Sequence, residues 1–157
     1  TIMQRNIFAL YILVCLILKR YYSRILKKYM SKVLPENIIL RPKGALNCNS
    51  FNCGGKPYRN GFPSGHMISM GLFFVVCWDI IQESSKAKIN FSILILGIAL
   101  GRILSKCHTP IQVLAGFLFG ILYGIVILTI WKELEKMSAI MKEHRKNFSD
   151  NIRNLFG

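Results

Sequence analysis

Four apolar runs, set apart by polar stretches, decide most of what this chain can become. They are IFALYILVCLIL (7–18), MISMGLFFVVCWDII (67–81), INFSILILGIALGRIL (89–104) and VLAGFLFGILYGIVILTIW (113–131). A helix needs about 20 apolar residues to cross a bilayer core. The last run reaches that length alone and is apolar on every face, unlike a helix on the surface of a soluble bundle. The first three reach it only by extending into polar flanks, so their ends are expected to be functional or buried in protein. The competing reading, four core helices of a soluble domain, fits poorly with a chain that is 52% hydrophobic with mean hydropathy +0.38. The expectation is an all-α fold: a polytopic membrane bundle with about four transmembrane helices, its core at 1–131 and a basic helical or disordered tail at 132–157.

Charge agrees with a membrane. The chain carries 21 Lys and Arg against 7 Asp and Glu, a net +14. Such a balance also suits nucleic acid. Here, however, the basic residues flank the apolar runs, in KRYYSRILKKYMSK (19–32) and WKELEKMSAIMKEHRKNFSDNIR (131–153), beside Tyr21, Tyr22, Tyr29 and Trp131. Basic and aromatic residues at the ends of apolar runs are the pattern of a membrane edge, and anionic headgroups suffice to hold them. A soluble basic nucleic-acid-binding protein is therefore set aside.

The second run opens on GFPSGHMISMGLFF (61–74), a histidine at the point where the chain turns apolar. Ser64 suits a helix N-cap, and Gly65 permits close backbone approach. Together they would present amide groups to an anion, as helix N-termini do. Upstream lies the Gly- and Asn-rich stretch 39–61 with Arg41 and Lys43. Downstream, Arg102 closes the third run and His108 precedes Thr109-Pro110, an N-cap followed by a helix-starting proline. His108 and Gln112, four apart, share a face if the first turn is helical. Counting crossings brings Arg41, His66, Arg102 and His108 to one end of the bundle. Either histidine alone reads best as a helix-end capping group. The pair, with two arginines and no nearby carboxylate, reads as an anion site. Phosphoryl transfer needs charge around the equatorial oxygens, an in-line nucleophile and an acid for the leaving oxygen. Arginine binds phosphate in a bidentate fashion, and histidine serves as nucleophile or as general acid and base. Two histidines without a carboxylate imply no metal and no cofactor.

These residues resemble the type 2 phosphatidic acid phosphatase superfamily, which includes membrane lipid phosphate phosphatases and the vanadium haloperoxidases. Its motifs are Lys-x6-Arg-Pro, Pro-Ser-Gly-His and Ser-Arg-x5-His-x3-Asp. This chain has Arg41-Pro42, Pro63-Ser64-Gly65-His66 and Arg102-x5-His108-x3-Gln112, over roughly residues 7 to 131. The resemblance implies metal-independent hydrolysis of a lipid phosphate or diphosphate through a phosphohistidine at His108. His66 would protonate the leaving oxygen, and Arg41, Arg102, Ser64 and the Gly65 amide would hold the phosphate. Three positions depart from the pattern. Leu34 stands where the lysine would fall, with Lys32 or Lys43 as substitutes. Gly101 replaces a serine. Gln112 replaces the aspartate that orients the nucleophile. A glutamine carbonyl still fixes the tautomer but lends no charge to a developing imidazolium, so a catalytically weak or inactive lipid-phosphate binder or scaffold is the alternative. On charge alone, Gln112→Asp should raise turnover. The family's membrane members have a six-helix core, which implies a core shortened at its N-terminus here.

Other features remain. Cys48 and Cys53 share one loop and could form a short disulfide if it faces an oxidising compartment; Cys15, Cys77 and Cys107 read as small hydrophobes. Gly116, Gly120 and Gly124 recur every fourth residue, a packing face read as serving contacts within the chain, with a homo-oligomer as its other use. On topology two arguments disagree. The site side holds 12 Lys and Arg (ten in 19–66, Arg102 and Lys106) and the opposite side 9, which favours a cytoplasmic site under the positive-inside rule. The resemblance implies a lumenal or extracellular site, and that is the expectation adopted.

Overall fold

The computed structural model describes residues 2–45, 48, 59–81 and 84–156. The fold is all-α: α1 Ile2–Val33, α2 Glu36–Ile39, α3 Gly65–Ile80, α4 Ser85–Leu104 and α5 Pro110–Phe156. Among the described residues the extended pairing is a single antiparallel bridge, Leu40 with Asn60. The chain divides into two compact units, Thr1–Ile125 and Val126–Gly157. The second is the distal part of α5, with Leu134, Met137 and Met141 open on its surface and a Glu133–Lys136 ion pair at 2.7 Å.

Three helices are long and apolar enough to cross a membrane, within Asn6–Val33, Ser85–Leu104 and Pro110–Lys146, and a shorter apolar helix covers Gly65–Trp78. The chain is a membrane protein. The fourth expected span is thus α3, short of the usual length. Its N-terminal end needs no lipid-facing extension because Pro63, Ser64, Met67 and Ile68 are buried in protein. Polar backbone at membrane depth is tolerated under that condition.

α3 is the central helix of the first unit. Its pairing with α5 runs on close approach at Gly71, Gly116, Gly120 and Gly124, backbone to backbone at the first three. A Cβ at Gly71 would sit 2.7 Å from the Ile121 nitrogen and one at Gly120 2.9 Å from the Gly71 Cα, while one at Gly124 would sit 2.9 Å from the Val75 Cβ. Between apolar helices in lipid, such close approach supplies the attraction that hydrophobicity cannot. The glycine face therefore packs inside the chain. α1 joins α5 through Tyr22 and Tyr123, stacked at 4.8 Å, with the Tyr123 hydroxyl donating to the Cys15 carbonyl at 2.8 Å. α4 is less embedded. Ile95 is its buried residue, packing with Met67 and Val113, and Ile93, Leu96 and Leu100 face outward.

The two links that carry site residues have local causes. α4 ends in a Schellman motif: Cys107 N–H donates to the Arg102 carbonyl at 3.1 Å and Lys106 N–H to that of Ile103 at 2.9 Å. Lys106 occupies the left-handed position, φ 54°, where glycine is usual and an L side chain costs about 1 kcal/mol or more. α5 begins at Pro110, as the Thr109-Pro110 pair predicts. Thr109 Oγ1 accepts from Gln112 N–H at 3.4 Å and Gln112 Oε1 accepts from Thr109 N–H at 3.3 Å. That is a capping box, T-x-x-Q.

Cys48 pairs with Cys107, their Cα atoms 5.3 Å apart and 59 residues apart in sequence. This corrects two expectations, a Cys48–Cys53 bridge and Cys107 as a small hydrophobe. Loop proximity suggested the first, but the turn after α4 carries Cys107 back over the bundle end, where it is buried with Ala45 and Cys48. Cys53 lies outside the described residues. Cys15 and Cys77 are free.

Candidate active site

Gln112 is the hub of the site. Fully buried, it sits in the first turn of α5. Its Oε1 lies 3.1 Å from His108 Nδ1. Its Nε2 donates to three carbonyls, Ile38 at 2.9 Å, Ile39 at 3.3 Å and Leu40 at 2.8 Å. The partners fix the amide's orientation, since only NH2 can face three carbonyls. Oε1 therefore accepts, His108 carries its proton on Nδ1, and Nε2 keeps a free lone pair. Gly61 makes room for this arrangement: a Cβ there would stand 2.6 Å from Gln112 Oε1 and 2.8 Å from Arg41 Cγ. Gly61 N–H also donates to the Ile39 carbonyl at 2.8 Å, and Arg41 N–H to that of Arg59 at 3.0 Å.

His108 is 3% exposed. Burial pushes its pKa down to about 3, Arg41, Lys27 and Arg102 push the same way, and the Gln112 hydrogen bond opposes them. Burial likewise lowers Arg41, aided by the charge of Arg102. Arg41 is 9% exposed and donates through Nη1 to the Cys107 carbonyl at 3.0 Å; Arg102 donates through Nη2 to the Cys48 carbonyl. Among the described residues, the Nε of each arginine and Ser64 Oγ are buried without a protein partner. Buried donors are nearly always satisfied, and three without a protein partner beside two like charges are groups that an anion would satisfy. Ser64 stands at the N-cap of α3 as read, but its side chain makes no capping bond, and its N–H is taken by the Gln112 carbonyl at 3.0 Å.

His66 is the second residue of α3, and the positive charges acting on it are Arg102, Lys19 and Arg41. Lys19 donates to Ser69 Oγ at 2.6 Å and to the Gly65 carbonyl at 3.3 Å. His66, Ser69, Arg102 and Ser105 form the polar end of an open groove of about 710 Å³ between α3 and α4, which continues along Met70, Phe73 and Ile98. Both histidines thus feel Arg41 and Arg102. Among the described residues, no three His, Cys, Asp or Glu side chains group as a metal site.

The profile of the PAP2 superfamily matches residues 8–136, a stretch that contains all of these side chains. The chain belongs to the PAP2 superfamily. Membership places it, at the level of the superfamily, with phosphatase-type hydrolases of phosphoric esters. Comparison with curated proteins finds no match, and comparison with solved structures finds none either.

Of the PAP2 motif positions singled out in the sequence, Arg41, Ser64, Gly65, His66, Arg102, His108 and Gln112 come together at one bundle end. Lys32 and Lys43 do not join them: both are exposed, in the last turn of α1 and in the turn after Pro42. The lysines near this PAP2 site are Lys19 and Lys27. Lys27 acts on Arg41 and His108 and is held by an exchange with Asn60, its Nζ donating to the Asn60 carbonyl at 3.4 Å and Asn60 Nδ2 to the Lys27 carbonyl at 3.0 Å. Their spacing was the signal. Cys15, Lys19, Ser23 and Lys27 recur every fourth residue on one α1 face, and Cys15 and Ser23 are buried on it. Gly61 carried no comparable sequence signal. The Thr109–Gln112 capping box did, in TPIQ, but it was eclipsed by the histidine one residue earlier. Gly101, in place of the motif serine, has nothing within 4 Å of a Cβ built on it.

Proposed function

We propose that this PAP2 chain hydrolyses a lipid phosphate or diphosphate through a phosphohistidine at His108, without a metal. The observation that carries the reading is the Gln112 clamp, which leaves His108 Nε2 unprotonated at the anion site. Nε2 attacks the terminal phosphorus as its bond to the leaving oxygen breaks. His66 donates the proton that the leaving group takes up, the lipid alcohol from a monophosphate or the lipid monophosphate from a diphosphate. It then removes a proton from water, whose oxygen attacks the phosphohistidine and returns His108 with inorganic phosphate. Arg41, Arg102 and Ser64 meet the non-bridging oxygens, using donors that have no protein partner, and Lys27 adds charge from α1. Such preorganised positive groups do most of the work in phosphoryl transfer.

The groove supports a lipid as the substrate. Its polar end holds His66 and Arg102 and its continuation is apolar, so a headgroup and its chain would lie in the order that a membrane presents them. The site is assigned to the lumenal or extracellular side. A disulfide beside the nucleophile supports that side, because such bonds persist in oxidising compartments.

The test is a phosphate-release screen over phosphatidic acid, lysophosphatidic acid, a sphingoid phosphate and a polyprenyl diphosphate, in EDTA. Release from at least one, abolished by His108→Ala, is expected. A requirement for Mg²⁺, or activity surviving that substitution, refutes the mechanism. One observation favours a second reading, a weak or silent lipid-phosphate binder: Gln112 lends no negative charge to the imidazole. Trapping a labelled, acid-labile phosphohistidine separates the two.

A further inference from the structure

We propose that the Cys48–Cys107 disulfide is a positioning device for the two anion-binding arginines. The inference rests on reading the bundle end as an anion site. Three links form a closed circuit, and a fourth fastens Arg41 to it. Arg41 Nη1 donates to the Cys107 carbonyl at 3.0 Å. Cys107 is bonded to Cys48. The Cys48 carbonyl accepts from Arg102 Nη2. The Arg102 carbonyl, in turn, accepts from the N–H groups of Cys107 and His108, both at 3.1 Å. Each arginine is thus held by the main chain of one half-cystine, and the nucleophile hangs from the same circuit.

The chemistry explains why a covalent link belongs there. Two guanidinium groups with no carboxylate facing them among the described residues repel, and burial strengthens the repulsion. Carbonyl dipoles are the neutral partners that can hold them. They hold only as firmly as their own backbone is held, and Cys48 belongs to a loop while Cys107 belongs to a turn after α4. The disulfide joins the two, so the carbonyls keep a fixed separation whether or not an anion is bound. The Nε donors left unpartnered on both arginines are then placed in advance for the ligand, which is where preorganisation gains affinity. The bridge is itself buried, Cys48 0% and Cys107 1% exposed. Reduction by a dithiol (two electrons and two protons, giving two cysteine thiols and the oxidised reductant) would therefore be slow in the folded protein but would release both carbonyls.

The experiment uses the full chain in detergent. Peptide mapping without reduction should recover a Cys48–Cys107 cross-link. The dissociation constant for inorganic phosphate is then measured on the wild type, on the Cys48→Ser/Cys107→Ser double variant, and on wild type reduced with dithiothreitol and afterwards reoxidised. Serine keeps both carbonyls in the chain and removes only the link. Loss of the bridge should raise the phosphate dissociation constant by roughly tenfold or more, the scale of one charge-assisted hydrogen bond, and reoxidation should restore it. With a turned-over lipid, KM should rise more than kcat falls, a split that mere loss of stability would not produce in the folded fraction. Cys77→Ala, at a free cysteine, is the control and should change neither constant. Free thiols at Cys48 and Cys107 in the unreduced protein, or phosphate binding unchanged after the link is removed, overturn the proposal. If the double variant does not fold, the reduced and reoxidised wild type decides. A chain that releases no phosphate from any lipid, yet loses phosphate binding with the bridge, upholds the positioning role and refutes the hydrolase reading.

Discussion

Gln112 Oε1 and His108 Nδ1 stand 3.1 Å apart, and the other end of the same amide is spent on the carbonyls of residues 38, 39 and 40. One side chain therefore orients the ring and fastens the α2 segment to the start of α5. An aspartate could do the first task and not the second, having no donor and one methylene less.

Gln112→Asp is accordingly expected to lower turnover, by roughly ten- to a hundredfold, reversing the outcome anticipated from charge alone. It should also cost about 1–3 kcal/mol of stability, the penalty for stranding buried carbonyls beside an acceptor. Steady-state rates and thermal melts of the two proteins check this. A faster enzyme would show that charge on the imidazole outweighs the lost anchoring.

The lysines are separable. Lys27→Ala should raise KM for a lipid phosphate by about tenfold, one charge-assisted contact, since Lys27 acts on Arg41 and His108. Lys32→Ala and Lys43→Ala, at exposed positions, should leave KM within about twofold. A larger effect at Lys32 than at Lys27 would mean that α1 sits in a different register at the site.

His108 should stay neutral well below the ordinary histidine range. With its folded-state pKa near 3, burial being the main cause and Arg41 the next, the ring signal in NMR should show no titration between pH 8 and about pH 5. The unfolded chain, with a value near 6.5, binds the proton first as pH falls. Stability is therefore lost as pH drops from about 6.5 toward 3. A midpoint near 6.5 in the folded, unliganded protein would show that water reaches the ring.

Sidedness can be read with single introduced thiols. Lys43→Cys, in the exposed turn beside the site, should react with an impermeant maleimide in intact cells or right-side-out vesicles. Lys86→Cys, at the other end of α4, should react only after permeabilisation. The reverse pattern would put the site in the cytoplasm, as the count of basic residues suggests.

The membrane architecture was legible because apolar runs and their polar edges survive in any register of reading. The histidines, arginines and Gln112 were legible because helix counting fixes which ends meet. What stayed hidden depended on backbone. The three carbonyls that hold Gln112 belong to Ile38, Ile39 and Leu40, whose side chains say nothing of hydrogen bonding. Lys106 in the left-handed position gave no glycine to announce the turn that carries Cys107 toward Cys48, so the two nearest cysteines were paired instead. Lys27 was passed over because fixed motif spacing pointed to residue 34, whereas the lysine reaches the site from an earlier turn of a helix that runs to Val33.

The glycine contact between α3 and α5 has a consequence for how substrate preference can change. Where two main chains touch, no rotamer can open the gap, and a methyl added at Gly71, Gly116 or Gly120 meets backbone. The jaw formed by α3 and α5 is therefore fixed in width, and with it the spacing of the PSGH turn from the first turn of α5. α4 is the opposite kind of wall. Gly97 and Gly101 both have open space where a Cβ would go, and Gly101 lines the groove beside His66. New bulk there would narrow the groove without touching the α3–α5 contact, so under the proposed lipid-phosphate function α4 is the least constrained route to a change of substrate.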